Sequence, residues 1–208
     1  MNIEDYILSC IDIEPPLLVA LNRKAHIDLL RPRMIAGHLQ GRILKMLVRM
    51  QRPQRILEIG TYTGYATLCL AEGLSEDGEV HTIEIDDEME DFIRNQFDQS
   101  ILKDRIHLHI GDAFEVIPKL SGQFDLVFID ADKRDYCEYY NLVFDMVKKG
   151  GIILADNTLW NGKVLEEPYP NDKQTIGIIR FNEMIAKDKR IEKVILPLRD
   201  GLTVIYKK

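Results

Sequence analysis

Hydrophobic residues change their spacing once along the chain, close to Pro53. Before this point, from Pro15 to Met50, apolar positions recur every three or four residues, which predicts an N-terminal helical layer. After it, short apolar runs alternate with helical patterns. The runs predict strands over 55–59, 79–85, 106–110, 124–130, 151–156, 191–196 and 202–207. The helical patterns predict helices over 65–72, 88–98, 113–120, 135–147 and 173–187.

Strands that alternate with helices are typical of βαβ units, in which parallel strands are joined by right-handed crossovers. Asp200-Gly201, between the last two strands, indicates a hairpin because this pair tolerates positive φ. We therefore predict an α/β, Rossmann-like fold with a seven-stranded, mostly parallel sheet, one antiparallel strand and helices on both faces. The chain has no repeat or linker, so 1–208 is expected to form a single domain, with 1–52 as the helical layer and 53–208 as the core.

The composition of the chain argues against nucleic acid and membranes as partners. The chain has 208 residues, of which 46% are hydrophobic and 29% charged, as in globular proteins. A net charge of -7 argues against nucleic-acid binding, which needs clustered Lys and Arg. No apolar run approaches the roughly 18 residues that span a bilayer, so no membrane partner is expected. The acidic first residues lack a signal-peptide pattern and the three cysteines are widely spaced, so we expect a cytoplasmic location.

A glycine turn, Glu58-Ile-Gly60-Thr-Tyr-Thr-Gly64, follows the first predicted strand. Its glycines allow a tight turn and a close approach of the backbone to a ligand. The pyrophosphate of a dinucleotide would be repelled by Glu58, whereas the sulfonium and ammonium of S-adenosylmethionine would be favoured. Glu84, at the end of the second strand, is placed to bind ribose hydroxyls. The alternative is a turn that merely connects strand to helix, and Glu84 and Asp112 at successive strand ends argue against it.

Asp130, Asp156 and Asn157 follow two strands that we expect to be neighbours. Their oxygens suit Mg²⁺ first, with Ca²⁺ or Mn²⁺ as alternatives, and disfavour zinc. The competing interpretation is helix capping, which Asp156-Asn157 alone would fit better, whereas the pairing with Asp130 favours a metal site. His107 and His109 share one face of a strand, a pattern interpreted as packing or surface residues without a role.

Four stretches together resemble the cation-dependent O-methyltransferases, the family of the caffeoyl-coenzyme A and catechol O-methyltransferases. The stretches are 58–66, Asp130-Ala-Asp-Lys133 with Tyr136, Asp156-Asn-Thr-Leu-Trp-Asn-Gly-Lys163, and Asp200-Gly-Leu-Thr203. The resemblance runs from about Arg33 to Tyr206. It implies a class I methyltransferase that uses S-adenosylmethionine and a divalent cation to methylate a hydroxyl of a vicinal diphenol, and that forms a homodimer.

The resemblance also implies roles for individual residues. Asp130, Asp156 and Asn157 match the metal ligands, and Lys133 and Asp130 match the catalytic pair, with Lys133 as general base. Cofactor contacts are implied for Met34, Ala36, Glu58, Gly60, Tyr62, Tyr65, Ala66, Glu84, Ala113 and Asp130. Gly41 matches a small residue beside the cofactor. Ala66 departs from the serine that is usual in the family, so backbone donors would have to replace a hydroxyl there.

These roles give a mechanism in which two adjacent phenolic oxygens chelate the cation and Lys133 accepts the departing proton. Trp160, Tyr169 and Tyr136 are expected to form apolar walls. Three alternatives stay open at this point: a metal-free methyltransferase, a non-catalytic adenosyl-binding module, and a dehydrogenase, which Glu58 and the missing third glycine disfavour. Arg31 and Arg33 could bind the anionic tail of a coenzyme A ester or be ordinary surface charges.

Overall fold

One seven-stranded sheet runs through the centre of the computed structural model, which describes residues 2–208. Its strands are β1 Arg55–Ile59, β2 Glu79–Glu84, β3 Ile106–Ile110, β4 Phe124–Ile129, β5 Val147–Ala155, β6 Ile191–Leu196 and β7 Leu202–Lys207. They lie in the order β3-β2-β1-β4-β5-β7-β6. Only β7 runs against its neighbours, because β5 and β6 both pair with it in the antiparallel sense. The predicted sheet, including its single reversed strand, is confirmed.

Helices cover both faces of the sheet, as predicted. They are α1 Ile3–Cys10, α2 Pro16–Asp28, α3 Gly37–Gln51, α4 Tyr65–Gly73, α5 Glu90–Phe97, α6 Ala113–Val116, α7 Tyr136–Phe144 and α8 Lys173–Lys187. Alternate residues of the inner strands point into two apolar clusters. Ile56 packs with α2, α3, α4 and α5, whereas Leu57 packs with α6, α7 and α8. Every helix in the described part of the chain, residues 2–208, is too short or too polar to span a bilayer.

The observed elements differ from the prediction most at three places. The helical pattern over 15–50 is interrupted between α2 and α3, where Pro32 starts a 3₁₀ turn and Gly37 has a φ of 78°. Helix α1 was not predicted, although Asn2 and Asp5 form a reciprocal cap at its start. Strand β5 begins at Val147 rather than Gly151, because Val147 pairs with Phe124 across an irregularity in the ladder. Long-range pairing, which no local pattern contains, sets this boundary.

The glycine turn lies where the strand order reverses, between β1 and β4. The connection that follows β1 leads to β2 on one side, and the connection that follows β4 leads to β5 on the other. The two connections leave the sheet in opposite directions, which opens a crevice at the carboxyl ends of β1 and β4. Gly60 has a φ of 98°, and a Cβ there would overlap the backbone carbonyl of Asp130. Glycine is therefore required at this position by the approach of β4, whatever ligand the turn holds.

Candidate active site

Adjacent strand ends bring the predicted metal ligands together. Ile129 and Ala155 are partners in the β4–β5 ladder, so the residues that follow them, Asp130 and Asp156, leave the sheet side by side. The backbone N–H of Asp156 donates to the Ile129 carbonyl at 3.0 Å, which continues the ladder past the last paired residues. Asn157 has a φ of 57°, a left-handed conformation that asparagine tolerates better than most residues. The loop after β5 thus turns immediately beside Asp130.

Asp156 is a buried carboxylate with one oxygen lacking a partner. Its side chain is 3% exposed, and Oδ2 accepts a hydrogen bond from Gln40 Nε2 at 2.7 Å, whereas Oδ1 has no partner. Burial, followed by the nearby charge of Asp130, raises the pKa of Asp156 to about 6. A buried oxygen without a partner is costly, and a bound cation would remove this cost. The oxygen donors of Asp130, Asp156 and Asn157 therefore fit a hard divalent ion.

Sequence reasoning missed Gln40, which holds Asp156. Gln40 is 1% exposed and lies on the buried side of α3 with Leu44 and Val48, at intervals of four residues. A polar residue on an otherwise apolar helical face was the available signal. Its oxygen also receives a hydrogen bond from Arg199 Nη1 at 3.3 Å. Gln40 therefore connects the N-terminal helical layer to both the β6–β7 turn and the candidate ligand Asp156.

Lys133 lies directly beside this pair of acids. Its Nζ donates to Asp130 Oδ1 at 2.8 Å and to the Tyr136 hydroxyl at 2.6 Å, and the residue is 6% exposed. The backbone of this turn is packed tightly, because a Cβ at Gly177 in α8 would overlap the Lys133 carbonyl. The amine is thus held in one place next to a ligand carboxylate, as a proton acceptor for a substrate bound there would need to be.

Tyr136 and Tyr169 do not form the apolar walls that the sequence suggested. Tyr136 is fully buried behind Lys133, and its hydroxyl donates to the Asp156 carbonyl at 3.0 Å. Burial, assisted by Asp130, raises the pKa of Tyr136 well above its usual value, so the ring stays a neutral phenol. Tyr169 is 77% exposed, whereas Trp160 packs at the edge of the α7–α8 core. Tyr136 therefore supports the lysine instead of facing a substrate.

Glu58 is placed differently from the expectation that it faces the cleft. It is fully buried beneath the glycine turn, where Thr67 and Thr82 donate to Oε2 and where Oε1 has no partner. Burial raises its pKa to about 8, against the opposing hydrogen bonds of the two threonines, so Glu58 is mainly neutral near pH 7. The expected repulsion of pyrophosphate by an ionised Glu58 is therefore not supported, because burial favours the neutral carboxyl group.

Glu84 is the acid that borders the turn. It is 7% exposed, and its Oε2 accepts a hydrogen bond from the backbone N–H of Tyr62 at 2.6 Å. The Tyr62 hydroxyl donates to the Arg31 carbonyl at 2.9 Å, so the segment before α3 lies over the turn. This segment contains Met34, which is half exposed, and Ala36, whose buried carbonyl accepts from the Arg199 guanidinium.

The remaining predicted cofactor residues lie at the starts of α4 and α6. The Tyr65 hydroxyl donates to Glu14 at 2.5 Å, so its ring belongs to the contact between α4 and the N-terminal layer. Ala66 is partly buried in the same helix, and Ala113 begins α6 behind its cap Asp112. Gly41 packs so closely against α4 that a Cβ would overlap Cys69 Sγ. Close packing of α3 on α4 is the observed reason for this glycine.

Glu58→Gln is expected to change how stability depends on pH. Because the pKa of Glu58 rises from 4.5 to about 8 on folding, its contribution to stability is complete below pH 4.5 and is lost as the pH approaches 8. Glutamine stays neutral, so the free energy of unfolding of the variant should gain on the wild type as the pH rises, by up to about 1.4 kcal/mol per pH unit. Urea unfolding across this interval measures the difference. The exposed Glu115→Gln variant is the matched control, and parallel pH curves for Glu58→Gln and wild type would contradict a neutral Glu58.

Known proteins resemble this chain over nearly its whole length. The model of the O-methyltransferase family matches residues 9–208. A catechol O-methyltransferase from Niastella koreensis is 31% identical over 202 residues, which is 95% of this chain and 90% of that protein. Caffeoyl-CoA O-methyltransferase 1 from Arabidopsis thaliana is 32% identical over 176 residues, 79% of this chain and 68% of the relative. TomG, an O-methyltransferase from Streptomyces achromogenes solved with SAM, has a TM-score of 0.90 at 28% identity, with 99% of this chain and 96% of that chain covered.

The sheet order, the reversed strand β7 and the glycine turn after β1 define a class I methyltransferase, the class of the structural neighbours. The chain belongs to the O-methyltransferase family. It is an S-adenosylmethionine-dependent O-methyltransferase. The family assignment from the sequence motifs is confirmed, and the dehydrogenase and non-catalytic interpretations are set aside.

Proposed function

We propose that this enzyme methylates one hydroxyl of a vicinal diphenol and that Asp130, Asp156 and Asn157 hold a divalent cation for this reaction. The unpartnered, buried Oδ1 of Asp156 beside Asp130 is the observation that carries the proposal. Oxygen donors alone suit Mg²⁺ first, and Ca²⁺ or Mn²⁺ next. The names of two relatives, a catechol and a caffeoyl-CoA O-methyltransferase, support a diphenol as the acceptor.

Separate residues bind the reactants, accept the proton and orient the groups that do so. S-adenosylmethionine supplies the methyl group when bound, and a cation at the acids would lower the pKa of an acceptor hydroxyl. Lys133 accepts the proton of that hydroxyl at Nζ. Tyr136 and Asp130 orient Nζ through hydrogen bonds of 2.6 and 2.8 Å. Gln40 orients Asp156 from the other side, so the acids and the base are preorganised.

We propose that the methyl donor binds to the glycine turn and to the segment before α3 that lies over this turn. The backbone of Gly60 and Tyr62 lines the turn, and Glu84 is the acid available for ribose hydroxyls. Met34 and Ala36 approach the turn from the segment before α3, held there by Arg199. Tyr65, Ala66 and Ala113 contribute through the starts of α4 and α6, where backbone N–H groups are free of helix partners. The neutral carboxyl of Glu58 supports the turn from below.

The acceptor class is tested with isomeric diphenols and a labelled methyl donor. Catechol places two oxygens close enough to share one cation, whereas resorcinol and phenol do not. We expect methyl transfer to catechol and its derivatives in the presence of Mg²⁺, and little transfer to resorcinol or phenol. Caffeic acid and its coenzyme A ester are compared in parallel, because Arg31 and Arg33 are exposed and could bind an anionic tail. Equal rates for catechol and resorcinol would contradict chelation of the acceptor.

Homodimer formation stays a prediction from the family resemblance.

A further inference from the structure

A group of potential metal ligands lies on β2 and β3, apart from the active site. Glu79 and His81 on β2 and His107 and His109 on β3 point to the same face of the sheet, and we refer to these four residues as the histidine cluster. His81 and His107 are partners in the ladder, and their rings stack with centroids 4.8 Å apart. Strand β3 is the edge of the sheet. The cluster therefore joins the edge strand to its neighbour.

Three of these side chains place ligand atoms around one point. Glu79 Oε1 lies 3.0 Å from His81 Nε2, and Glu79 Oε2 lies 3.2 Å from His107 Nε2. All three ligand atoms lie within 4.8 Å of one another. In a tetrahedral site with metal–ligand distances of about 2.0 Å, neighbouring ligand atoms are about 3.3 Å apart. The 3.2 Å between Glu79 Oε2 and His107 Nε2 already has this size, and the other separations, which are no more than 4.8 Å, would shorten on small side-chain rotations.

His109 orients His81 in the way that an outer residue of a metal site does. Its Nε2 lies 3.0 Å from His81 Nδ1. If Nδ1 carries the proton of His81, Nε2 of that ring presents a lone pair, which faces Arg55 Nη2 at 3.2 Å and which a bound cation would take over from the guanidinium. Ligating histidines usually have a partner such as His109 on the other nitrogen.

Arg55 is the nearby positive charge, and it leaves one carboxylate oxygen for a metal. Its Nε donates to Glu79 Oε1 at 2.7 Å, and its Nη2 lies 3.2 Å from His81 Nε2. The guanidinium is also held by the Ser121 carbonyl at 2.6 Å and packs over the Phe124 ring. Oε2 of Glu79 points instead to His107, whose side chain is 42% exposed, so a cation can enter from solvent.

We propose that Glu79, His81 and His107 form a second cation site, specific for Zn²⁺ or another late first-row divalent metal. Two imidazoles and one carboxylate are the ligands such ions prefer, and an oxygen-only set is not. The site lies towards the amino ends of β2 and β3, whereas Asp130 and Asp156 follow carboxyl ends of strands. A bound metal would link the edge strand β3 to β2 and raise the melting temperature of the protein.

The test uses Zn²⁺ and Co²⁺ alone as probes, in a Cys10→Ser background because Cys10 is an exposed thiol. Co²⁺ should give the visible absorption of a low-coordinate site, and Zn²⁺ should raise the melting temperature. His107→Gln and Glu79→Gln should each weaken Zn²⁺ binding by at least about 100-fold, and His109→Gln, which removes an orienting partner, by about tenfold. The matched control is His26→Gln, since His26 is exposed on α2, and it should bind Zn²⁺ as the parent does.

Two results would overturn the proposal: no Co²⁺ absorption by the parent protein, or Zn²⁺ affinity equal in the parent and in both His107→Gln and Glu79→Gln. Zn²⁺ bound at Asp130 and Asp156 would survive these substitutions and is recognised in that way. Methyl transfer with Mg²⁺ should be the same in His107→Gln as in the parent protein. The second site and the proposed catalytic function can therefore fail independently.

Discussion

Lys133→Met should lower the rate of methyl transfer to catechol by about 100- to 10,000-fold, the usual contribution of a general base. The reason is positional, because Lys133 Nζ lies 2.8 Å from the proposed ligand Asp130 and is shielded from solvent. Methionine has a similar length but cannot accept a proton. The rate of the variant should rise with pH, since solvent hydroxide can then remove the acceptor proton.

Single-turnover rates with labelled S-adenosylmethionine measure the effect, and cofactor affinity reports whether the turn is intact. Lys148→Met is the matched control, because Lys148 pairs with Asp125 at 2.6 Å on another part of the surface and should retain full activity. Lys133→Arg should be nearly as slow as Lys133→Met, since arginine stays protonated. A Lys133→Met enzyme that is folded and as fast as wild type would exclude the lysine as base.

Asp156→Asn should lower Mg²⁺-dependent methyl transfer by at least about 100-fold, because the loss of one charged ligand removes several kcal/mol of charge stabilisation. The same substitution should leave the unfolding free energy unchanged or higher in the absence of metal. Asp156 is 3% exposed and has an oxygen without a partner, so the wild type carries the cost of a buried carboxylate. Asparagine keeps the shape and the acceptor for Gln40 while it removes the charge.

Activity is therefore expected to fall without any loss of stability, which a simple packing role would not produce. Chemical unfolding in chelator gives the stability, and initial rates at varied Mg²⁺ give the activity. The exposed Asp145→Asn variant at the end of α7 is the control for loss of one negative charge. If Asp156→Asn were less stable and fully active, its carboxylate would be structural and the proposed ligand set would be wrong.

Strands β4 and β5 could be predicted from the sequence because each contains an apolar run that is followed directly by an acid. β4, for example, is Phe-Asp-Leu-Val-Phe-Ile followed by Asp130, and the adjacent β5 ends before Asp156. In a parallel sheet such ends share one edge, so the acids could be grouped without coordinates. The start of β5 at Val147 could not be predicted, because it depends on pairing with Phe124.

The sequence predicted which residues form the candidate site. It did not predict how deeply these residues are buried or which other residues contact them. Nothing in the motif around Glu58 shows that Thr67 and Thr82 close over its carboxyl group, so its neutral state required the fold. Gln40 lies far from Asp156 in sequence, and only the packing of α3 brings their side chains within 2.7 Å. Burial and long-range contacts, which set charge states, are the part that a sequence pattern does not contain.

Removing and restoring the cation tests whether methyl transfer depends on a metal ion held by Asp130, Asp156 and Asn157. Purified enzyme is treated with EDTA, freed of it, and assayed with catechol and labelled S-adenosylmethionine while Mg²⁺ is restored stepwise. We expect negligible transfer without metal, full recovery with Mg²⁺, and no recovery in Asp156→Asn. Transfer that continues at the original rate in excess EDTA would show that the reaction needs no cation.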